Sequence, residues 1–176
     1  MITYKIGDLF REIDVDSPTI KIIPHCCNDI DAFGAGFAAA VARHYPLAKE
    51  RYHQWFRLGV DIESGKPFRL GQFQSVKVHS LDLYSAIYIV NMIGQKGIVN
   101  PGNRKPVKYG HLFKCIEQIG HLIRFYLAKS PPGHQIEIET VKFGAGLAGG
   151  NWEVIEEFIN DNWDFPHVPV TIWDLS

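Results

Sequence analysis

Lys142-Phe143-Gly144-Ala145-Gly146-Leu147-Ala148-Gly149-Gly150-Asn151-Trp152 is followed at once by Glu153-Val154-Ile155-Glu156-Glu157-Phe158-Ile159. The second segment carries apolar residues at helical spacing, and Ile136-Glu137-Ile138-Glu139-Thr140-Val141, just before the first, alternates as a strand does. Four glycines within seven residues therefore join a strand to a helix. Glycine loses more chain entropy on folding than any other residue, so such a cluster marks positive φ angles or a surface where something approaches bare main chain. Successive inward-turned N–H groups form an anion-binding concavity, and the next helix adds partial positive charge at its N-terminus. A connecting turn without a ligand is the alternative, since neither the Walker nor the dinucleotide glycine spacing is matched.

Working outward, Thr19-Ile20-Lys21-Ile22-Ile23 is β-branched and suits a central strand, with Pro24 and His25-Cys26-Cys27-Asn28-Asp29 as its exit. A second small-residue run, Gly34-Ala35-Gly36, opens into the helical pattern Phe37 to Tyr45, so strand, glycine loop and helix recur. Pro46 ends that helix and begins another that Gly59 stops. Gly71–Val78 and Ala86–Ile93 read as strands joined near Ser80-Leu81-Asp82. A long helix is expected from Pro106 to about Lys129, with Leu112, Cys115, Ile116, Ile119, Leu122, Ile123 and Tyr126 facing inward. Ile2-Thr3-Tyr4-Lys5-Ile6 supplies a first strand and Val168-Pro169-Val170-Thr171-Ile172-Trp173 a last one. Alternating strands and helices predict an α/β fold, a mixed, mostly parallel sheet covered on both faces. Ligands in such sheets lie at the carboxyl ends of strands, where Asp8, the 25–28 segment, 93–96 and 143–150 all fall.

With 176 residues, the chain is expected to form one domain spanning 1–176. Acidic and basic residues nearly cancel, to a formal net charge of −1, so any phosphate is held locally rather than drawn in by a global field. Three cysteines, two of them adjacent, argue against a disulfide framework and point to a reducing cytoplasm. No signal peptide or apolar run long enough for a membrane helix is apparent, so no membrane partner is expected. Eight histidines without ligand spacing leave no metal site to propose, and no G-x-S-x-G elbow occurs. Asp8 reads as a turn or helix cap, or as a ligand contact at the sheet edge. His25 reads as a structural histidine or a general acid or base; Asp31 as loop solvation or a second such group. Trp152 is expected to anchor its helix rather than to stack on a ligand, and Lys96, Arg104, Lys105 and Lys108 read as a solvated basic loop.

Taken together, Gly7-Asp8-Leu9, His25-Cys26-Cys27-Asn28 with Gly34-Ala35-Gly36-Phe37, Phe143 to Gly150, and Val170-Thr171-Ile172-Trp173-Asp174-Leu175 resemble, in order, the motifs of a macro domain. That family folds as three α/β/α layers and binds ADP-ribose without a cofactor. The likeness covers nearly the whole chain. It implies that Asp8 and Leu9 meet the adenine, that Asn28 faces the distal ribose, and that two loops hold the diphosphate. These loops are Gly34, Ala35, Gly36 and Phe37, and Gly144, Ala145, Gly146, Leu147 and Ala148. The spacing from His25 to Gly36 and the Arg43-His44-Tyr45-Pro46 helix end are similar to the branch of the yeast ADP-ribose 1″-phosphate phosphatase and its bacterial Appr-1-p processing relatives. The implied ligands are ADP-ribose or ADP-ribose 1″-phosphate, with an ADP-ribosylated protein or nucleic-acid end as a further partner. The implied reaction is hydrolysis at the anomeric position, with His25, Asn28 and Asp31 as catalytic candidates; the alternative is a reader that binds without turnover. The aspartate of MacroD-type hydrolases is replaced here by Ala38, and the lysine and aspartate of a second hydrolase branch fall near Gln95 and Ala148.

Overall fold

The computed structural model describes residues 1–175. Six strands form one sheet: β1 (Ile2–Ile6), β2 (Thr19–Asn28), β3 (Phe73–Asp82), β4 (Ser85–Gln95), β5 (Gln135–Val141) and β6 (Val170–Asp174). Their order is β1-β6-β5-β2-β4-β3, and only the β3–β4 pair is antiparallel. The helices are α1 (Leu9–Glu12), α2 (Gly36–His44), α3 (Pro46–Leu58), α4 (Tyr109–Lys129) and α5 (Trp152–Asn162). The expected mixed, mostly parallel α/β sheet is thus observed.

Side-chain alternation along the central strands builds two cores. Ile20 and Ile22 of β2 with Val90 and Met92 of β4 face α4 and α5; Ile23 and Cys27 with Ile87, Ile89 and Ile93 face α1, α2 and α3. Both faces of these strands are buried, which explains their near-continuous apolar runs. Each fully buried aliphatic side chain contributes about 1.5–3 kcal/mol.

Two features mark the junction of β2 and β5 as the place where a ligand crevice is expected. The connection leaving β2 leads to α2 on one face, and that leaving β5 leads to α5 on the other, so these neighbouring parallel strands form a topological switch point. The β2–β5 ladder also stops at Ile22↔Ile138, two residues before Pro24, whose ring nitrogen has no hydrogen to donate.

Three boundaries differ from expectation. β2 does not end at Ile23 but runs through Pro24 to Asn28, because its ladder to β4 continues to Asn28↔Gln95. The β3–β4 turn lies at Leu83-Tyr84, where Asp82 Oδ1 accepts from Tyr84 N–H at 2.7 Å. The long helix starts at Tyr109, and Leu122 is 51% exposed on its outer face, since the inner stripe is complete with Leu112, Cys115, Ile116, Ile119 and Ile123.

Candidate functional site

The exits of β2 and β5 carry the two glycine runs, and the runs meet: a Cβ on Gly36 would lie 3.4 Å from Leu147 Cδ1. Around the first run, the buried Asn28 side chain works on its own loop. Its Oδ1 accepts from Ile30 N–H (3.0 Å), Ala32 N–H (3.1 Å) and the Tyr52 hydroxyl (2.9 Å), while Nδ2 donates to Ala32 O at 2.6 Å. That clamp forces a tight bend, and Asp31 takes it up at φ 63°, a left-handed conformation that aspartate tolerates better than most residues. Asp31 Oδ1 is paired with His53 Nδ1 from α3. Phe33 beyond it is buried edge-on against His25, at 5.4 Å between centroids.

Gly34, Ala35 and Gly36 are exposed, and Gly36 adopts φ 59°. They lead into α2, which has no side-chain cap and no acidic residue in its first turn. Among the described residues, no hydrogen bond engages the N–H groups of Gly34, Ala35, Gly36 or Phe37. The same holds for Gly146, Leu147 and Ala148 in the second run. Seven main-chain donors, four of them beside one helix N-terminus, are thus left for a ligand where the two runs meet.

The second run's four glycines divide into two kinds. Gly144 (φ 75°) and Gly149 (φ 73°) need their conformation, and a Cβ on Gly149 would stand 2.5 Å from Arg104 O. A Cβ on Gly150 would collide with Gly144 O. Gly146, like Gly34, has nothing within 4 Å of its Cβ position. Three glycines thus serve packing, and Gly146 leaves open space. Ala148 is buried and its carbonyl accepts from Val107 N–H at 3.0 Å, while Ala145 is half-buried and Leu147 is 57% exposed. Trp152 anchors α5 as expected: its Nε1–H donates to the Tyr4 hydroxyl at 2.7 Å, and its ring meets Phe143 edge-on.

Asp8 caps α1, its Oδ1 accepting from Phe10 N–H at 3.0 Å and its Oδ2 standing 3.8 Å from Arg11 Nε. The Leu9 side chain is buried, so only its main chain can face the crevice. Phe37 stacks on Phe10 with centroids 5.4 Å apart and covers His25 edge-on.

His25 is 2% exposed, and burial pushes its imidazole down to about 4, against a smaller upward pull from Asn91. Asn91 Nδ2 donates to Ala48 O (3.3 Å) and Gln74 Oε1 (3.1 Å), which leaves Oδ1 to accept from His25 Nε2–H at 2.7 Å. Gln74 Nε2 in turn donates to Asp61 Oδ1 (2.8 Å), which also receives Arg51 Nη2 (3.0 Å). A buried polar chain from α3 through β3 and β4 to β2 thus fixes His25 in place with Nε2 as its donor, burial keeps the ring neutral, and Cys27 Sγ lies 3.8 Å from Nδ1. The thiols are equally quiet, since burial pushes Cys26 and Cys115 up to about 12.

Two contributors were missed in the sequence. His53 lies twenty-two positions from Asp31 and joins it only because α3 packs beside the loop. Lys96, Arg104, Lys105 and Lys108 are exposed as expected of a solvated basic loop, but its backbone also packs beside the site: Gly97 N–H donates to Asp29 Oδ1 at 2.7 Å, and Gly149 abuts Arg104. Lys96, Lys108 and Asn103 line a cavity of ≈ 400 Å³ there, with Asp29, Ile30 and Gly97. A larger groove of ≈ 680 Å³ lies on the sheet face beneath α1, but its inner charges satisfy one another: Lys21 pairs with Glu137 at 2.7 Å, and Trp173 donates to Glu139.

No family profile matches the chain. A curated ADP-ribose 1″-phosphate phosphatase from Lodderomyces elongisporus is 26% identical over 168 residues, covering 93% of this chain and 95% of that one. Among solved structures, a protein of unknown function from Bacteroides thetaiotaomicron is 32% identical with a TM-score of 0.78, over 99% of this chain and 98% of the other. A macrodomain protein from Streptomyces coelicolor is 29% identical with a TM-score of 0.69, over 99% of both chains.

Proposed function

We propose, from the premise that this chain belongs to the macro-domain family, that it binds ADP-ribose or a derivative and hydrolyses a group from its anomeric (1″) position. The observation that carries this reading is the meeting of two glycine runs in which seven N–H groups, those of 34–37 and 146–148, have no internal partner among the described residues. A diphosphate seated between them would receive hydrogen bonds of the charge-assisted kind, each contributing about 1.5–3 kcal/mol. With a net charge of −1, the affinity rests on these local donors and the α2 dipole.

Strand order, together with the resemblance that assigns Asp8 to adenine, supports one direction for the ligand. β1, with Asp8 at its exit, lies at one edge; β5 and β2 flank the crevice; β4 follows β2. Adenine accordingly lies toward Asp8, the diphosphate between the runs, and the distal ribose toward Asn28 and residues 96–108. Asn28 acts by shaping the loop, where its Oδ1 accepts three hydrogen bonds and its Nδ2 donates one. His25, neutral and enclosed, positions Phe33 and Phe37 rather than delivering a proton. Asp31, held by His53 at the loop's surface, is the candidate base. For a 1″-phosphate, water adds at phosphorus as the sugar oxygen leaves, yielding ADP-ribose and inorganic phosphate. The loops hold the reacting ends in line.

The same engagement of Asn28 and His25, with Ala38 and Ala148 where relatives of other branches carry acids, supports the second reading, a module that binds ADP-ribosylated protein or nucleic-acid ends without turnover. Its place would be a reducing cytoplasm, in keeping with three unpaired cysteines. Among the described residues no helix is long and apolar enough to cross a membrane. Calorimetry with ADP-ribose tests binding; the absence of measurable heat and of displacement at millimolar ligand would remove both readings. Phosphate release from ADP-ribose 1″-phosphate by wild type and by Asp31→Asn separates them. Turnover lost in the variant with ADP-ribose affinity retained is expected of the enzyme, and no turnover by wild type leaves the reader.

A further inference from the structure

The cavity at the Asp29-Ile30 exit of β2 has a charge pattern that its own fold does not explain. It opens between the exits of β2 and β4, lined by Asp29, Ile30, Lys96, Gly97, Asn103 and Lys108. Lys96 and Lys108 are exposed, and among the described residues neither takes part in an ion pair. Lys105 differs, lying 4.3 Å over the Tyr109 ring. The lone carboxylate of the lining, Asp29, is turned to Gly97 N–H. Lys108 is moreover the N-cap of α4, a helix of 21 residues with no side-chain cap and no acid in its first turn. A cation at that position opposes the helix dipole and forgoes the capping bond that Ser, Asp or Asn would make.

The lysines stand on a built loop rather than a loose one. Lys96 N–H donates to Pro106 O and Lys108 N–H to Gly94 O, both at 2.8 Å. Asn103 Nδ2 donates to Lys96 O at 2.9 Å, and Asn100 and Asn103 exchange main-chain bonds at 2.9 and 3.1 Å. The main chain of both lysines is thereby fixed at one mouth, with the α4 N-terminus at Lys108.

We propose that this cavity receives a terminal phosphate carried on the anomeric carbon of bound ADP-ribose, so that the chain selects the 1″-phosphate ester over unphosphorylated ADP-ribose. The proposal rests on the reading that ADP-ribose binds between the glycine runs, because that reading sends the distal ribose toward β4. Two ammonium groups facing a phosphate dianion in a partly enclosed site favour it more than any neutral hydroxyl there.

The test is displacement of a fluorescent ADP-ribose analogue, read within seconds of mixing so that turnover does not intervene, by ADP-ribose and by ADP-ribose 1″-phosphate. Wild type is expected to bind the phosphate ester about tenfold or more tightly. Lys96→Met/Lys108→Met is expected to bind the two ligands alike, and Lys96→Arg/Lys108→Arg to restore the preference. Equal binding of the two ligands by wild type, or a preference unchanged in the methionine variant, overturns the proposal while leaving ADP-ribose binding intact. Failure of wild type to bind either ligand removes the underlying reading and this one with it.

Discussion

Glycine at 146 and glycine at 149 look interchangeable in a list of residues, and their surroundings are opposite. Gly149 has φ 73° and a carbonyl 2.5 Å from its Cβ position, whereas Gly146 faces open space. Gly149→Ala is therefore expected to cost about 2 kcal/mol or more in chemical denaturation. Gly146→Ala should stay within about 0.5 kcal/mol of wild type and yet lower ADP-ribose affinity severalfold in calorimetry, because its methyl stands where the diphosphate approaches. His25 carries a second residue-scale consequence. Its folded value of about 4 lies below the ordinary histidine value of about 6.5, so the unfolded chain binds the proton more readily. The stability that the buried ring contributes is complete above about pH 6.5 and is lost as pH falls through about 4, a span of about 3 kcal/mol. Denaturation series between pH 4 and 7 should show this slope in wild type and a shallower one in His25→Gln.

At the scale of elements, β2 and α4 carry the site. β2 stays paired to β4 as far as Asn28, but its ladder to β5 ends at Ile22, beyond which Thr140 Oγ1 still donates to Pro24 O at 2.5 Å, and the two glycine runs follow from the exits of these strands. The amides that line this room give an element-scale readout: hydrogen exchange at 34–37 and 146–148 is expected to slow on adding ADP-ribose, while exchange in α4 stays unchanged. α4 itself begins badly for a helix, with lysine at its N-cap. Lys108→Asp supplies the missing cap and reverses the charge, so it should raise stability by about 1 kcal/mol in denaturant titration. The same change should abolish the preference for the 1″-phosphate ester. A variant that gains stability and keeps that preference would show that Lys108 answers only to its helix.

For the whole molecule, two cores share one sheet, and the crevice lies where they meet at the carboxyl ends of β2 and β5. A ligand gripped from both sides ties the α2 layer to the α5 layer. We expect the chain to unfold as one unit in a single calorimetric transition, and ADP-ribose at a hundred times its Kd to stabilise it by about 2.7 kcal/mol. For a chain of this length that is a rise of roughly 5–10 °C in Tm. Two separate transitions, of which only one moves with ligand, would contradict a crevice built from both layers.

Local chemistry was enough to read the alternation of strands and helices, the two glycine runs at strand exits, the Gly59 stop and the role of Trp152. Each depends on the period of apolar residues or on a conformation that few residue types adopt. The length of β2 escaped that reading because a proline normally ends a strand, and only pairing with β4 showed that it does not. Which glycines pack and which stay open, why His25 is neutral, and how His53 and residues 96–108 enter the site were decided by the tertiary structure. Asn91 lies sixty-six positions from His25, and Arg104 forty-five from Gly149. Burial, close contact and charge pairing are made between such distant residues, so they have no signature in any single stretch of the chain.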